Sequence, residues 1–496
     1  MTDASPMPPT GLTGDLDPAL LRSHGAQVLE WLATYLTPGP GGAERYPVLA
    51  QVSPGAIRAA LPAAPPAHGE SLDAILADVE RLLIPGTTHW NHPGFFAYFA
   101  ISSSVPGILG ELLAAGLDTN QMLWRTAPAA TELEEVTLDW LRQLVGLRTK
   151  WFGQIVDTAS VAVMHALACA REAAGFEVRE RGLAGRADVP VLRVYCSELT
   201  HSSVDKAMIT LGLGRVNLVK IPVDAAFRVR VDAMRSAIAA DRAAGMRPIA
   251  IVGTVGTTST TSVDSIPALA DLAAESGCWL HVDAAYGGSA AVVPELRYLL
   301  DGTDRADSLV INPHKWLFTP VDCTAFYVKD RALLKRAFSL VADYLVTPEQ
   351  EIATNYMDYG VQLGRRNRAL KLWMVLRAFG ADGLAERIRA HCDLARDFAG
   401  MVHYAGDWEL CAPVPLALVC FRFAPDGVDD ATRDRWNLAI MARVNAEGRS
   451  YLSHTVLDGR VVLRLAVGNI RTERRHVEQC WASLRDAARA VAAAAE

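Results

Sequence analysis

The middle of the chain alternates short apolar runs with helical patterns, and this alternation constrains the fold more than any other feature. The runs are rich in β-branched residues and predict buried strands at Val191–Tyr195, Ile249–Val255, Trp279–Val282, Leu309–Ile311 and Thr324–Val328. Helical patterns lie between some of them, at Ser160–Ala174, Val231–Ala244 and Ile266–Ser276. We therefore expect an α/β fold with a largely parallel sheet that is covered by helices on both faces.

The segments on either side of this region predict two further parts. Beyond a long helical stretch, Asn367–Phe398, strand and helix patterns near the C-terminus predict a smaller α+β domain. The helical patterns near the N-terminus are joined by Pro-rich connections and cannot bury much apolar surface by themselves. We expect an N-terminal helical arm over residues 1–104 that packs on a partner subunit, a large α/β domain over 105–373 and a small domain over 374–496.

Two motifs upstream of the strands have simple structural interpretations. Thr131-Glu-Leu-Glu134 has the spacing of a capping box and predicts the start of a structural helix. The stretch Thr88–Ala100 is dense in aromatic residues but has neither a helical nor an alternating period. It predicts either a packed interdomain loop or the wall of a pocket for an aromatic ligand.

Composition excludes several classes of function. The 496 residues include 48 Lys and Arg against 55 Asp and Glu, so the net charge is −7 and no basic tract predicts a nucleic-acid partner. No signal peptide and no run of transmembrane length are evident, so we expect no membrane partner. The eight cysteines are scattered singly and predict free thiols in a reducing cytoplasm.

One lysine follows the end of a predicted strand. In Ile311-Asn-Pro-His-Lys-Trp-Leu317, Lys315 lies between an imidazole and an indole, just past a buried apolar run. Burial disfavours the charged ammonium and so lowers the pKa of a lysine. A neutral amine is the form that makes a Schiff base with a carbonyl compound, and Lys315 is therefore a candidate nucleophile.

Three other polar groups lie at predicted strand ends or helix starts, and each has a plain structural alternative. Thr158 and Ser160 begin a helix, where they hold an anion or simply cap it. His201 is a ligand-binding residue or a hydrogen-bonded loop histidine, and Asp283 pairs with a cation or caps a helix. A lysine amine, a carboxylate for a pyridinium and a phosphate cradle together predict pyridoxal phosphate as the cofactor.

Several motifs resemble those of one enzyme family: His92-Pro-Gly-Phe-Phe-Ala-Tyr-Phe, Ala129-Ala-Thr-Glu-Leu-Glu, Asp157-Thr-Ala-Ser, Ser202-Ser-Val-Asp-Lys-Ala, His281-Val-Asp-Ala-Ala-Tyr, Asn312-Pro-His-Lys-Trp and Leu363-Gly-Arg-Arg. From about Pro18 to the C-terminus, the chain resembles the pyridoxal-phosphate-dependent group II amino-acid decarboxylases, most closely the aromatic-L-amino-acid decarboxylases. The resemblance implies the fold type I, aspartate aminotransferase-like fold, with a mainly parallel seven-stranded sheet. It also implies a cytoplasmic homodimer with its active site at the subunit interface.

The resemblance implies a role for each matching residue. Lys315 forms the Schiff base with the cofactor, Asp283 pairs with the pyridine N–H, and His201 stacks on the ring. The other residues implied to bind the cofactor are Thr158, Ala159, Ser160, Thr254, Ala285, Asn312 and His314. A tyrosine on a mobile loop of the family protonates the substrate carbon, and Tyr344 matches it; taken alone, Tyr344 is an ordinary amphipathic surface residue.

The same comparison suggests the substrate. The aromatic side chains of Trp90, Tyr98 and Phe99 suit a flat apolar group, and Ile101 replaces the Thr or Ser that is common after this motif. Gly364 matches a position at which glycine accompanies indole substrates, so tryptophan is favoured, with tyrosine, phenylalanine and dihydroxyphenylalanine as possible substrates. The alternatives are an aromatic aldehyde synthase, which the retained Tyr344 disfavours, and a catalytically silent relative that binds pyridoxal phosphate.

Overall fold

The computed structural model describes residues 14–148, 150–340, 347–349 and 352–494. The chain forms two compact units. The first unit comprises Met1–Ala97, Asp426–Leu463 and Arg471–Glu496, and the second comprises Tyr98–Pro425 and Arg464–Ile470. The domain boundaries expected after residues 104 and 373 stay a prediction.

The helices and strands are numbered in chain order. The α-helices are α1 Pro18–Tyr35, α2 Ala56–Ala60, α3 Leu72–Asp78, α4 Val105–Leu117, α5 Pro128–Leu144, α6 Ala159–Ala173, α7 Val178–Arg181, α8 Ser203–Thr210, α9 Val231–Ala243, α10 Ile266–Ser276, α11 Pro313–Trp316, α12 Arg331–Phe338, α13 Ala369–His403, α14 Asp430–Ala446 and α15 Arg474–Ala493. The strands are β1 Phe152–Val156, β2 Leu192–Ser197, β3 Leu218–Ile221, β4 Arg247–Thr254, β5 Trp279–Asp283, β6 Ser308–Ile311, β7 Thr324–Val328, β8 Trp408–Leu410, β9 Leu418–Phe423, β10 Ser453–Leu457 and β11 Arg460–Ala466.

The second unit is built on a seven-stranded sheet with the order β1-β7-β6-β5-β4-β2-β3. Strands β2 to β6 run parallel, and β7 is antiparallel to both of its neighbours, β6 and β1. The predicted mainly parallel sheet is therefore confirmed. Among the other strands, β8 pairs with β9 and β10 lies beside β11.

Helix α6 packs closely on this sheet because the residues on its buried side are mostly small. Ala162, Val163, Ala166 and Ala170 are all buried, in one apolar cluster with residues of β2, β4 and β6. Small side chains let the helix backbone approach the strands, and their burial keeps water from the sheet. The start of α6 is thereby fixed against the end of β1, where the candidate anion site lies.

Helix α5 does not begin as the capping-box motif predicts. It starts at Pro128, with Ala127 as the N-cap residue, and Thr131 is already inside the helix. Proline is favoured at the first helical position because its missing N–H would have no partner there. The capping-box prediction for Thr131-Glu-Leu-Glu134 is therefore wrong, and the buried carboxylate of Glu134 has other partners.

Helix α13 extends the predicted helical stretch but contains a break. Gly380 has a φ of 64° and separates two helical segments within Ala369–His403. A left-handed residue at this point favours glycine, since a Cβ would be strained there. The helical periodicity of the sequence predicted the segments but not the change of direction between them.

The first unit contains the N-terminal helices and the C-terminal helix. Helix α14 packs on α15, and Arg475 of α15 makes a two-point ion pair with Glu44 at 2.8 and 2.9 Å. Apolar side chains of α1, among them Leu21 and Leu29, are exposed. No helix of the described ranges is both long and apolar enough to cross a membrane.

Candidate active site

The sheet topology brings the predicted site residues to one edge. Because β7 is antiparallel to both β1 and β6, β1 runs in the same direction as β6, β5, β4 and β2, and the carboxyl ends of these five strands share an edge. In open α/β sheets this edge is where ligands bind. It holds five predicted residues: Thr158 after β1, Asn312 after β6, Asp283 at the end of β5, Thr254 at the end of β4 and His201 after β2.

Asp283 is held rigidly at the centre of this edge. Its Oδ1 accepts the backbone N–H of Ala285 at 3.1 Å, and its backbone carbonyl accepts the N–H of Val255 at 2.9 Å. The residue is only 6% exposed and lies opposite Thr254 in the β4–β5 pairing. It caps no helix, since the following 3-10 helix begins at Gly287. A buried carboxylate here calls for a cationic or hydrogen-donating partner.

Lys315 supplies an amine to the same site. It belongs to the short helix α11, whose N-cap residue is Asn312, and its Nζ lies 5.5 Å from the centroid of the Phe99 ring. Burial lowers the pKa of Lys315, while the negative charge of Asp283 raises it. The net lowering favours the neutral amine that acts as a nucleophile.

The charges of both of these groups act on His201. Its Nδ1 accepts the backbone N–H of Ser203 at 3.1 Å, which leaves the proton of a neutral imidazole on Nε2. Partial desolvation lowers its pKa, the charge of Asp283 raises it and that of Lys315 lowers it. The residue is exposed. His201 is therefore a neutral ring that is available for contact with a ligand.

The start of α6 has the features of an anion site. Thr158 is the N-cap residue, but its side chain makes no capping bond and its Oγ1 instead lies 3.3 Å from Oδ1 of Asp157. The helix that begins with Ala159 and Ser160 is 15 residues long. The first N–H groups of such a helix have no partner within it, and its dipole favours a negative charge.

Two buried polar atoms at the edge lack a hydrogen-bond partner within the described residues. They are Oγ1 of Thr254 and Oδ1 of Asn312. A buried polar atom left without a partner costs about 1–3 kcal/mol, which a polar ligand would recover. The hydroxyl of Ser203, two residues after His201, is in the same state. These atoms fit a ligand rich in oxygen and nitrogen atoms, such as pyridoxal phosphate.

His314 is part of the support of the site. Its Nδ1 accepts the backbone N–H of Cys323 at 3.0 Å, and Nδ2 of Asn312 lies 3.4 Å from its Nε2. Burial, and then the charge of Lys315, lowers the pKa of His314 to about 4. The imidazole is neutral near pH 7 and orients Asn312. Ala285 is buried nearby, and its carbonyl accepts the N–H of Asn312 at 3.1 Å.

An aromatic wall stands beside Lys315. Phe99 stacks on Tyr286 at 3.8 Å between ring centroids, and Tyr286 stacks on Trp316 at 4.6 Å. The indole N–H of Trp316 donates to Nδ1 of His391 at 3.0 Å. The stack fixes the plane of Phe99, because neighbouring rings restrict its rotation. The sequence predicted a role for Phe99 but none for Tyr286 and Trp316, although these are the last residues of two of the motifs quoted above.

Arg464 holds the backbone next to this wall. The buried guanidinium donates to the carbonyls of Thr258 and Tyr98 at 2.6 and 3.4 Å, and its Cζ lies 5.7 Å from the Phe99 centroid. Tyr98 has a φ of 52°, and its side chain is half exposed. Sequence reasoning also missed Arg464, since nothing local distinguishes it from any other arginine in a strand.

The remaining predicted residues have the following places. Trp90 lies in the first unit, where it stacks on Phe95 at 4.2 Å. Ile101 is partly buried in the extended segment before α4. Gly364 is exposed, and a Cβ there would lie 3.8 Å from Nδ2 of Asn120, an ordinary contact. Tyr344 lies outside the described residues.

The donor set of this edge indicates the kind of ligand that it suits. No group of His, Cys, Asp and Glu side chains suited to a metal ion occurs within the described parts of the chain. The edge offers the amine of Lys315, the buried carboxylate of Asp283, the imidazole of His201 and several hydroxyls. This set suits an organic cofactor with an aldehyde, a basic ring nitrogen and an anionic group.

Comparison with known proteins agrees with the geometry. Residues 54–424 match the family model described as the pyridoxal-dependent decarboxylase conserved domain. Tyrosine decarboxylase 2 of Arabidopsis thaliana is 40% identical over 477 residues, which cover 94% of this chain and 86% of that protein. Phenylacetaldehyde synthase of the same plant is 38% identical, with 95% of this chain and 96% of that protein covered.

Solved structures have the same fold. The crystal structure of Oryza sativa TDC with PLP and tryptamine superposes with a TM-score of 0.90 at 36% sequence identity, and it covers 95% of this chain and 98% of that chain. This likeness confirms the predicted fold class, including the smaller C-terminal domain, and the predicted cofactor.

Proposed function

Because this chain belongs to the pyridoxal-dependent decarboxylases, we propose that it converts an aromatic L-amino acid to the corresponding amine and carbon dioxide, with tryptophan preferred and tryptamine as product. The observation that most supports an aromatic substrate is the stacked wall of Phe99 and Tyr286 beside the amine of Lys315. A flat apolar surface of this kind binds an aromatic ring better than a charged chain. The enzyme is a carboxy-lyase of the aromatic amino-acid decarboxylase type.

Pyridoxal phosphate, when bound, supplies an electron sink for the charge that remains when carbon dioxide leaves. Lys315 would hold its aldehyde carbon, and Asp283 its ring nitrogen. His201 and Ala285 would contact the two faces of the ring, and Thr254, Asn312 and His314 would line the site. Thr158, Ala159 and Ser160 would hold the phosphate at the start of α6, where the helix dipole favours an anion.

The chain's own groups would control the protons. The carboxylate of Asp283 is buried and fixed by Ala285, so it can keep a proton on the group that it faces. Tyr344 would deliver a proton to the substrate carbon, and the neutral imidazole of His201 would exclude water from one side. This assignment of Tyr344 rests on the resemblance of the sequence.

Gly364 supports tryptophan over tyrosine. This support comes from the resemblance of the sequence, since glycine at the matching position accompanies indole substrates; in the structure a Cβ at Gly364 would make an ordinary contact with Asn120. Tyr98, Phe99 and Ile101 would form further contacts with the substrate, and the role expected for Trp90 stays a prediction. The Oryza sativa relative was solved with tryptamine, whereas the Arabidopsis thaliana relatives are named for tyrosine decarboxylation and for phenylacetaldehyde synthesis.

A second candidate function is aromatic aldehyde synthesis, which one relative's name favours. Product analysis separates the two. A decarboxylase forms amine and carbon dioxide in equal amounts and consumes no oxygen. Formation of aldehyde, with uptake of oxygen, would contradict the proposal.

Colour tests the alternative of a catalytically silent protein. The purified protein should be yellow, and colourless protein that stays inactive after cofactor is added would support the silent alternative.

We also infer that the protein is a cytoplasmic homodimer. Helix α4 of the second unit exposes an apolar stripe at helical spacing, formed by Val105, Leu109, Leu112, Leu113 and Leu117. A stripe of this kind on a folded protein marks an interface, and a two-fold axis lets the same stripe cover itself on a second copy. Leu113→Glu should convert the dimer to monomer in light scattering at micromolar concentration; an unchanged mass would contradict this interface.

A further inference from the structure

Glu134 and Arg365 form a buried ion pair beside the candidate anion site. Oε1 of Glu134 lies 2.7 Å from Nη2 of Arg365, and the two side chains are 0% and 5% exposed. The Arg365 guanidinium also lies over the ring of Tyr356, with its Cζ 4.3 Å from the centroid. The pair is therefore held in a fixed geometry by contacts from a helix, a loop and an aromatic ring.

Both members of the pair bind the backbone of one residue of β1. The N–H of Ile155 donates to Oε1 of Glu134 at 2.7 Å, and Nη2 of Arg365 donates to the carbonyl of Ile155 at 2.7 Å. Strand β1 lies at the edge of the seven-stranded sheet, with β7 as its neighbour. At an edge, backbone groups have no strand to pair with. The ion pair takes the place of the missing strand.

The pair has further support on its far side. Nε2 of Gln121 donates to Oε2 of Glu134 at 2.9 Å, so both carboxylate oxygens are bonded. The N–H of Gln121 donates to the carbonyl of Arg365 at 2.9 Å. A buried ion pair adds little net stability, because desolvation offsets the attraction. The pair instead fixes the position of the groups that it bonds, the backbone N–H and carbonyl of Ile155.

Ile155 is three residues before Thr158, the N-cap residue of α6. We propose that Glu134 and Arg365 are positioning residues that fix the end of β1, and with it the turn of Thr158 to Ser160, in the orientation that binds the phosphate group of the cofactor. This inference rests on the proposed phosphate contacts. The two residues touch neither cofactor nor substrate in this role, and they act through the backbone of Ile155.

The test compares two ligands that differ only in the phosphate. Cofactor-free protein is titrated with pyridoxal phosphate and with pyridoxal, and binding is followed by absorbance. Arg365→Lys keeps the charge but replaces the planar guanidinium, which lies over Tyr356 and brings Nη2 to both Glu134 and Ile155, with a shorter ammonium side chain. It should weaken pyridoxal phosphate on the order of tenfold, the effect of one lost charge-assisted bond, and change pyridoxal binding by less than about twofold. Glu134→Gln should act in the same direction.

Asp241→Asn is the matched control. In the same unit, Asp241 accepts bonds from Arg193 at 3.0 Å and from the hydroxyl of Tyr195 at 2.6 Å, and both of these partners belong to β2. It should leave unchanged the ratio of the dissociation constant for pyridoxal to the dissociation constant for pyridoxal phosphate. Because both ligands are titrated into one preparation, partial unfolding of a variant lowers both signals alike and leaves the ratio intact.

Two results would overturn the inference in different ways. If Arg365→Lys weakens both ligands by the same factor, the ion pair has only a structural role. If Ser160→Ala also leaves the ratio unchanged, then the phosphate contacts themselves are wrongly assigned. If Ser160→Ala lowers this ratio but Arg365→Lys does not, the positioning role is wrong and the proposed phosphate site is supported.

Discussion

At the scale of single residues, Lys315 is the group on which the proposed chemistry depends most. Its amine lies beside Asp283 and Phe99, and its pKa is lowered by burial. Lys315→Ala removes the only atom that can bond covalently to the cofactor aldehyde in the proposed scheme. Amine formation should fall by at least about a thousandfold, as measured by chromatography of the product. Substantial amine production by this variant would refute the role.

Tyr344 determines which product leaves the enzyme in the proposed scheme. Tyr344→Phe removes the hydroxyl that would protonate the substrate carbon, and oxygen then competes for that carbon. We predict that this variant diverts product from amine to aldehyde, with oxygen uptake measured by an electrode. A variant that yields only amine at the unchanged rate would show that another group protonates the substrate.

Residue patterns in the sequence predicted most of the candidate catalytic residues but few of the residues that hold them in position. Lys315 and Asp283 were found because each follows an apolar strand run. Glu134 was assigned to a capping box because the local spacing fits one, although its partner Arg365 is 231 residues away. Arg464 contacts Tyr98 across 366 residues. Such partners meet only through tertiary folding, and local spacing contains no signal for them.

At the scale of secondary-structure elements, the apolar periodicity predicted the central strands well. Thr324–Val328 has the predicted bounds, and β5 extends one residue further, to Asp283. Strands β1 and β3 were missed. Gly153 and Gln154 interrupt the apolar run of β1, and β3 is a half-exposed edge strand that includes Lys220. Edge strands need fewer apolar residues, so their pattern is weaker.

The break in α13 gives a prediction about stability. Gly380 has a φ of 64°, and a Cβ at this position would have no atom within 4 Å, so Gly380→Ala adds backbone strain without a clash. The free energy of unfolding should fall by about 1 kcal/mol. Gly400 lies in the regular part of the same helix, and a Cβ there would also have no atom within 4 Å. Gly400→Ala should therefore raise the free energy of unfolding by about 0.5–1 kcal/mol. Urea unfolding measures both, and equal effects would contradict the assigned break.

At the scale of the whole molecule, buried neutral histidines should make the protein sensitive to acid. Burial lowers the pKa of His165 to about 3 and those of His281, His314 and His391 to about 4. The unfolded chain binds these protons near pH 6.5 and the folded chain does not. Stability is therefore complete above about pH 6.5 and falls below it, by about 1.4 kcal/mol per histidine for each pH unit.

The opposing groups are Asp264, whose pKa burial raises to about 6, and Asp307, whose pKa burial also raises, so their protonation on acidification favours the folded state. Four histidines outweigh these two carboxyls. The melting temperature should therefore fall between pH 7.5 and pH 5, as calorimetry would measure it. A melting temperature that stays constant or rises over this range would contradict the neutral, buried state of the histidines.

The measurement that tests the central claim most directly is a competition between substrates. The enzyme is incubated with equal concentrations of tryptophan, tyrosine, phenylalanine, dihydroxyphenylalanine and glutamate, with pyridoxal phosphate, and each amine is quantified. The stacked wall beside Lys315 and the glycine at position 364 predict aromatic amines only, with tryptamine the most abundant. An amine formed chiefly from glutamate, or aldehyde in place of amine, would contradict the account.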